Sequence, residues 1–536
     1  MRKALCPGGR VSFGKRLLAA GLAVAALTTG SMFTTFATET PVSVTYTFSG
    51  ARAEKPGYAC GKITVTPGAE AAAEGYYLVY YTDEKGVLAG YDELATVPIT
   101  GGKVSIPVPD GLMIPPDATG IAVFESDKRF LDEPPAIDTA IGVCEIPESK
   151  RLKSLGDLQV SFGALSDTHM NYQPYDRGAF EKLAYSLDFF AEKKMDYLVI
   201  TGDATGDRGE NPDLEAQYEK HLEILNASSF PADKVYEGIG NHGNTPQDAP
   251  LLDQYLGGED EDHPYEGSPY FSLFKEGKEG QRDLLFIFTG YELKAPSDSA
   301  KYETFSVEQM DWIESLLTEY GETETNIFMI IHAPFLNFGA GDRKNGGYGA
   351  CIPFKAEYPQ TMRLKGLLET YKDVVVMSGH THVTMYDGVN YSTEGEKFAR
   401  TVHIGSNCQP CGYGGTDTYA RSTDGRYTVT PEYGSEGYTV EIYGKYIVFT
   451  GYNFSTGKKI PAACLLMPVS KAAEEEEEVS LPEESSEPAT ESSETASLPA
   501  PEEEKDSFPI GWVAGGVAAA AGVAVGVTVA LKKKKK

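Results

Sequence analysis

Val160-Ser-Phe-Gly-Ala-Leu165 runs straight into Ser166-Asp167-Thr168-His169, an apolar run of strand length that stops on a carboxylate and an imidazole. The same design recurs downstream. Tyr197-Leu-Val-Ile200 leads to Gly202-Asp203, and Val235 to Ile239 leads to Gly240-Asn241-His242. Ile327-Phe-Met-Ile-Ile331 leads to His332, and Val374-Val-Val-Met377 leads to Gly379-His380-Thr381-His382. Helical periods separate several of these runs, at Ala179 to Lys194, Leu214 to Ala227 and Ser306 to Tyr320. The last opens with Ser306 and Gln309 at capping-box spacing. Strand and helix in alternation predict an α/β fold on a largely parallel or mixed sheet, where ligands bind at the carboxyl ends of the strands. All the polar groups just named fall at such ends.

The chemistry open to this set is narrow. Aspartate, imidazole and amide oxygen suit zinc, manganese or iron, and the absence of cysteine from the set disfavours a structural zinc site. One aspartate can bridge two ions roughly 3.5 to 4 Å apart, which would activate a hydroxide and clamp the oxygens of an in-line displacement at phosphorus. Such ions would also bring positive charge to an acidic protein. The chain of 536 residues has 47 Lys and Arg against 78 Asp and Glu, a formal charge of -31. That surplus excludes a nucleic-acid binder held by phosphate contacts.

In order and spelling, these blocks resemble the calcineurin-like metallophosphoesterase superfamily, with its D-x-H, GD, GNH, H and GHxH motifs. The resemblance implies a mixed β-sandwich flanked by helices over residues 157–470. It implies two divalent or trivalent metal ions (Mn, Fe or Zn), with Asp167, His169 and His382 on one, Asn241, His332 and His380 on the other, and Asp203 bridging. It also implies that His242 acts catalytically, protonating the leaving-group oxygen or steadying the phosphoryl charge. Gly243 stands where the family usually has an acidic partner for that histidine. Gly206 stands where purple acid phosphatases carry a tyrosine. His221, His263 and His403 read as ordinary polar residues. Arg208, Arg343 and Lys344 are candidate phosphate contacts, and Asn171 and Tyr172 are candidate pocket residues.

Ahead of this domain, short β-branched runs at Val42–Phe48, Lys62–Thr66, Tyr76–Thr82, Val104–Val108 and Ile121–Phe124 predict a small all-β sandwich over 39–148. Export would permit a Cys60–Cys144 bridge there. Cys408-Gln409-Pro410-Cys411 has redox-motif spacing but lacks a thioredoxin-like setting, which reads as a disulfide or loop staple. Tyr438–Tyr443 and Tyr446–Thr450 read as the edge hairpin that closes the domain.

The two ends concern location. Basic residues, then the apolar run Leu17 to Leu27, then small residues near Ala37 read as a signal peptide over 1–38. Residues 472–507 hold 14 acidic side chains against Lys505, a charge of -13, and read as a disordered stalk. Residues 508–531 include an uncharged stretch long enough to cross a bilayer, and Lys532 to Lys536 would hold its end in the cytoplasm. The expectation is an extracellular phosphoesterase, tethered to the cell membrane by one carboxyl-terminal helix, that hydrolyses a small phosphomonoester or phosphodiester. The alternatives are a nucleotide or phospholipid-type phosphodiesterase, and an inactive surface binding or adhesion protein on the same fold.

Overall fold

The computed structural model describes residues 42–68, 72, 74–129, 131, 133–170, 178–205, 214–242, 269–290, 293–295, 298–336, 339–342, 352, 354–393, 396–411 and 434–470. The expected signal peptide, stalk, anchor and lysine tail lie outside them. So do Asn171, Tyr172, Gly206, Arg208, Gly243, His263, Arg343 and Lys344. Among the described residues, no helix is long and apolar enough to cross a membrane.

Eight strands come first: β1 (Ser43–Thr47), β2 (Tyr58–Thr66), β3 (Tyr76–Asp83), β4 (Gly86–Val87), β5 (Ala95–Pro98), β6 (Val104–Met113), β7 (Gly120–Ser126) and β8 (Gly142–Glu145). Strand and helix then alternate through β9 (Leu158–Leu165), α1 (Ala179–Lys193), β10 (Tyr197–Ile200), α2 (Leu214–Ala227) and β11 (Val235–Glu237). Next come β12 (Phe271–Lys275), β13 (Leu284–Phe288), β14 (Leu293–Ala295), β15 (Asp298–Thr304), α3 (Val307–Tyr320), β16 (Asn326–Ile330), α4 (Pro359–Thr370) and β17 (Val375–Ser378). The remaining strands are β18 (Tyr391–Ser392), β19 (Arg400–His403), β20 (Glu436–Tyr443), β21 (Tyr446–Asn453) and β22 (Lys458–Pro468).

Two mixed sheets face each other. One runs β1-β2-β6-β22-β21-β20-β9-β10-β11, with β9, β10 and β11 parallel. The other runs β12-β13-β16-β17-β19-β18, parallel except at its edges. Phe162 of β9 sets them in contact, edge-on to Phe286 of β13 at 5.1 Å and to Phe328 of β16 at 5.0 Å. Helices cover the outer faces. Leu183, Leu187 and Phe190 of α1 pack with Leu198 and Ile200, while Met310, Ile313 and Leu317 of α3 join Leu364 and Leu368 of α4 over Ile327 and Met329. Covered on both sides, strands such as β13 and β16 are buried at every position, which explains their unbroken apolar spelling.

A third sheet, β4-β3-β7-β8 with β5 on β3, packs on β2 and β6. Ile63, Val65, Ile106 and Val108 share one apolar cluster with Tyr77, Val79, Tyr81, Ile121 and Val123. β6 also meets β22 at Leu112 and Leu465, so strands from before residue 148 and after residue 157 share one sheet. That pairing corrects the reading of β20 and β21 as an edge hairpin. They do form a hairpin, but β20 is bonded to β9 and β21 to β22, which places both in the interior of the nine-stranded sheet.

The possible Cys60–Cys144 bridge is not formed. Cys60 belongs to β2 in the nine-stranded sheet and Cys144 to β8 in the five-stranded one, where its thiol donates to Val44 O at 3.2 Å. The capping box at α3 is half made. Ser306 Oγ accepts from Gln309 N at 3.0 Å, but the Gln309 amide bonds both backbone groups of Gly290 instead of returning to the cap.

Candidate metal centre

The carboxyl ends of β9, β10, β11, β16 and β17 converge, and the loops leaving them are bonded to one another. Asp167 N donates to Gly202 O at 3.0 Å, His169 N to Asp203 O at 3.0 Å, and Gly379 N to His332 O at 2.8 Å. This brings together all eight residues named from the sequence as metal ligands or acid. Two groups of potential ligands result, Asp167 with His169 and His382, and Asp203 with His332 and His380. Within each, one ligand atom per residue lies within 4.8 Å of the others. Asn241 belongs with the second, its Oδ1 lying 3.2 Å from His332 Nε2 and 2.5 Å from His380 Nδ1. The groups adjoin, since His332 Nε2 lies 2.9 Å from Asp203 Oδ2 and 3.8 Å from Asp167 Oδ1.

The first group tests whether a cation fits. His169 Nδ1 faces Thr205 O at 3.2 Å and His382 Nδ1 faces Gln409 O at 3.0 Å. A ring nitrogen facing a carbonyl carries the proton, so in the neutral rings both Nε2 atoms present lone pairs. These two nitrogens are only 3.0 Å apart, and they lie 3.7 and 3.1 Å from Asp167 Oδ1. That carboxylate oxygen is buried and has no hydrogen-bond partner. Three lone-pair donors crowded together repel unless a positive charge sits among them, so the site fits a cation. The backbone carbonyls behind the imidazoles are the outer partners that orient metal-binding histidines.

Charge states agree with this fit. Burial alone would raise the Asp167 carboxyl, but His382, His332 and His169 outweigh it and hold it well below the usual carboxylate range. Asp203 is lowered in the same way, with His332 and His242 overcoming burial. His169 is pushed down to about 3 by burial and then by His382, and His380 to about 3 by burial and then by His332. Ionised carboxylates and neutral imidazoles are the forms that bind metal. His332 runs the other way: burial lowers it, but Asp203 and Asp167 outweigh burial and raise it above its ordinary value, so a cation there competes with its proton.

His242 stands apart from the ligand groups. Its backbone N–H donates to Asp203 Oδ1 at 2.8 Å, while its Nε2 lies 3.8 Å from Asp203 Oδ2 and its ring meets His169 edge-on. About a quarter of its side chain is exposed, while its Nδ1 is buried. Of the histidines read as ordinary, His221 is buried 3.1 Å from Glu237, and His403 lies behind the GHTH turn with Nε2 3.4 Å from Thr381 Oγ1.

Several contributors had no signal in the motif spelling. Asp167, His169, Asp203, His380 and His382 all have left-handed backbone, with φ between 43° and 68°. Such a conformation costs a non-glycine residue about 1 to 3 kcal/mol and is characteristic of functional sites. Ser166 Oγ bonds Asp167 Oδ2 and accepts from Thr201 Oγ1 at 2.7 Å, fixing the carboxylate. Glu436, wholly buried, accepts from Thr384 Oγ1 at 2.6 Å and Met385 N at 2.8 Å, just past His382.

Burial drives the Glu436 carboxyl up to about 8, against the pull of those two hydrogen bonds. The native state therefore holds a proton that the unfolded chain releases above its ordinary value of 4.5. Stability from this group is complete below that value. It is lost as pH rises through about 8, at roughly 1.4 kcal/mol for each pH unit climbed between the two values. Glu436→Gln removes the titration and can keep both partners if its amide oxygen accepts from Met385 N and its amide N–H donates to Thr384 Oγ1. Thermal melts of the two proteins should diverge between about pH 5 and 9, the wild type losing more; identical slopes would show that Glu436 does not titrate there.

Residues 160–384 match the family model described as calcineurin-like phosphoesterase. Over that stretch, about two fifths of the chain, the protein is similar to calcineurin-like phosphoesterases, and the converging side chains form two candidate metal-ligand groups of the kind that family's metal dependence implies. No curated protein matches the chain in sequence. Among solved structures the chain is similar to a dimetal phosphatase from Danio rerio, at 15% identity over 59% of this chain and 100% of that one, with a TM-score of 0.40. It is also similar to a purple acid phosphatase from yellow lupin (Lupinus luteus) seeds, at 12% identity over 77% of this chain and 74% of that one, with a TM-score of 0.36.

Proposed function

We propose that the chain is an extracellular, membrane-tethered phosphoesterase with two metal ions, acting on a small phosphomonoester or phosphodiester. The observation that carries the enzymatic part is the crowding of His169 Nε2, His382 Nε2 and Asp167 Oδ1, three lone-pair donors within 3.0 to 3.7 Å of one another. Asp167, His169 and His382 would hold one ion and Asn241, His332 and His380 the other, with Asp203 serving both. Bound there, the ions supply an activated water and positive charge for the phosphoryl oxygens. The protein's own part is to keep the carboxylates ionised and His169 and His380 neutral, and to aim the His169 and His382 rings through backbone carbonyls. His242, partly exposed beside Asp203, is placed to give a proton to a leaving oxygen. Export and tethering rest on the apolar runs near the two ends of the sequence.

Aryl phosphates and bis-aryl phosphates of graded leaving-group acidity, offered to the manganese-loaded full chain, test this reading. His242→Ala should keep its metal and lose about 10²- to 10⁴-fold in turnover on poor leaving groups, with much smaller losses on good ones. Equal losses across the series would remove the acid role. No turnover of any ester by the metal-loaded wild type would favour a surface binding protein.

A further inference from the structure

The segment after β19, Ser406 to Cys411, ties together the two loops that carry Asp167, His169 and His382. On one side Ser406 Oγ donates to Asp167 O at 3.1 Å, Asn407 N to Ser166 O at 2.9 Å and Cys408 N to Asp167 O at 3.3 Å. On the other, Cys411 donates to His382 O through its N–H at 2.6 Å and its thiol at 3.2 Å, and Thr384 N donates to Cys411 O at 2.8 Å. Between them, Gln409 O accepts from His382 Nδ1 at 3.0 Å. Cys408 and Cys411 thus bracket the carbonyl that orients His382, at C-x-x-C spacing.

Their sulfurs are not joined, and they occupy different surroundings. Cys408 packs in the apolar cluster of α1 with Leu183, Leu187 and Met170, whereas the Cys411 thiol faces the carbonyls of Thr381 and His382. A disulfide needs sulfurs about 2.05 Å apart and a narrow range of Cα separations. A bond between them would take the Cys411 thiol from its two carbonyls or Cys408 from its apolar cluster, and Gln409 lies on the short stretch of chain between them.

We propose that Cys408 and Cys411 are a dithiol–disulfide pair whose oxidation loosens His382 and weakens cation binding by Asp167, His169 and His382. The inference rests on the metal-binding reading above. The oxidant is a low-molecular-weight disulfide, of the kind present in oxidising compartments outside the cytosol. The thiolate of one cysteine attacks it, forming a mixed disulfide and releasing one thiol. The second cysteine's thiolate then displaces the other thiol, leaving the Cys408–Cys411 bond. The protein gives up two electrons and two protons, which the two released thiols carry away. Linkage makes the effect reciprocal, so cation binding protects the dithiol by the factor by which oxidation weakens the cation.

The test uses the full chain equilibrated with reduced or with oxidised glutathione, peptide mass mapping of the 408–411 bond, and titration with Mn²⁺, a cation with little preference for thiols. Oxidation should weaken one of the Mn²⁺ sites about 10- to 100-fold, the size of effect typical for losing an outer partner of a ligand. Reduction should restore it. Cys408→Ser/Cys411→Ser should bind Mn²⁺ independently of redox poise. Failure of the 408–411 bond to form, or equal Mn²⁺ affinity in both states of the wild type, would overturn the proposal alone. Absence of Mn²⁺ binding by the reduced wild type would overturn the metal reading and this proposal with it.

Discussion

Asp203→Asn should give a folded protein that no longer retains its metal ions and hydrolyses no phosphoester at a useful rate. The side chain is 2% exposed, accepts from the His242 N–H at 2.8 Å and approaches His332 Nε2 at 2.9 Å. Asparagine can keep the first contact through its amide oxygen, so the local fold survives. It cannot supply the negative charge. An anionic ligand shared by two cations contributes several kcal/mol to their binding and to the charge they present, so turnover should fall by about 10²- to 10⁴-fold or more. Metal analysis, turnover and circular dichroism on one preparation separate loss of the site from loss of the fold. A variant that keeps its full metal content would show that Asp203 is not a ligand.

Gly240→Ala should be nearly as damaging, though no chemistry is removed. A Cβ at Gly240 would stand 1.9 Å from Asp203 Oδ1 and 2.4 Å from Asp203 N, closer than any real contact. Its φ is not in the left-handed region, so the penalty is purely steric. Either Asp203 or the end of β11 must move, which costs about 1 to 3 kcal/mol of stability and displaces Asn241 and His242 along with the carboxylate. Gly366→Ala is the matching control. Gly366 lies in α4 with nothing within 4 Å of its Cβ position, and alanine there should be neutral or stabilising by up to about 1 kcal/mol. Wild-type metal affinity in Gly240→Ala would contradict the close packing of the strand ends.

The convergence of the candidate ligands was readable because each member ends an apolar run, and the end of a buried strand is a fixed place in an α/β sheet. Period and apolar spelling placed β10 and α2 to the residue and β9, β11, β16 and β17 to within two at each end. What sits behind the ligands was not readable. The left-handed backbone at Asp167, His169, Asp203, His380 and His382 leaves no mark in composition, because none of these positions is a glycine. The glycines of the GD, GN and GH pairs do carry a signal, and its cause is steric: at Gly202, Gly240 and Gly379 a side chain would strike His332, Asp203 or Ser166. The pairing of β6 with β22 joins positions far apart in the chain, Leu112 and Leu465, and no local pattern announces such a contact. Gln309 shows the converse, a correct capping signal whose side chain is captured by Gly290.

The most direct measurement is the metal content of the purified full chain after dialysis against trace manganese, zinc or iron, beside Asp203→Asn. With a paired site, the wild type should hold about two equivalents per chain and the variant close to none. A wild type with no bound metal, or a stoichiometry that Asp203→Asn leaves unchanged, would contradict the account.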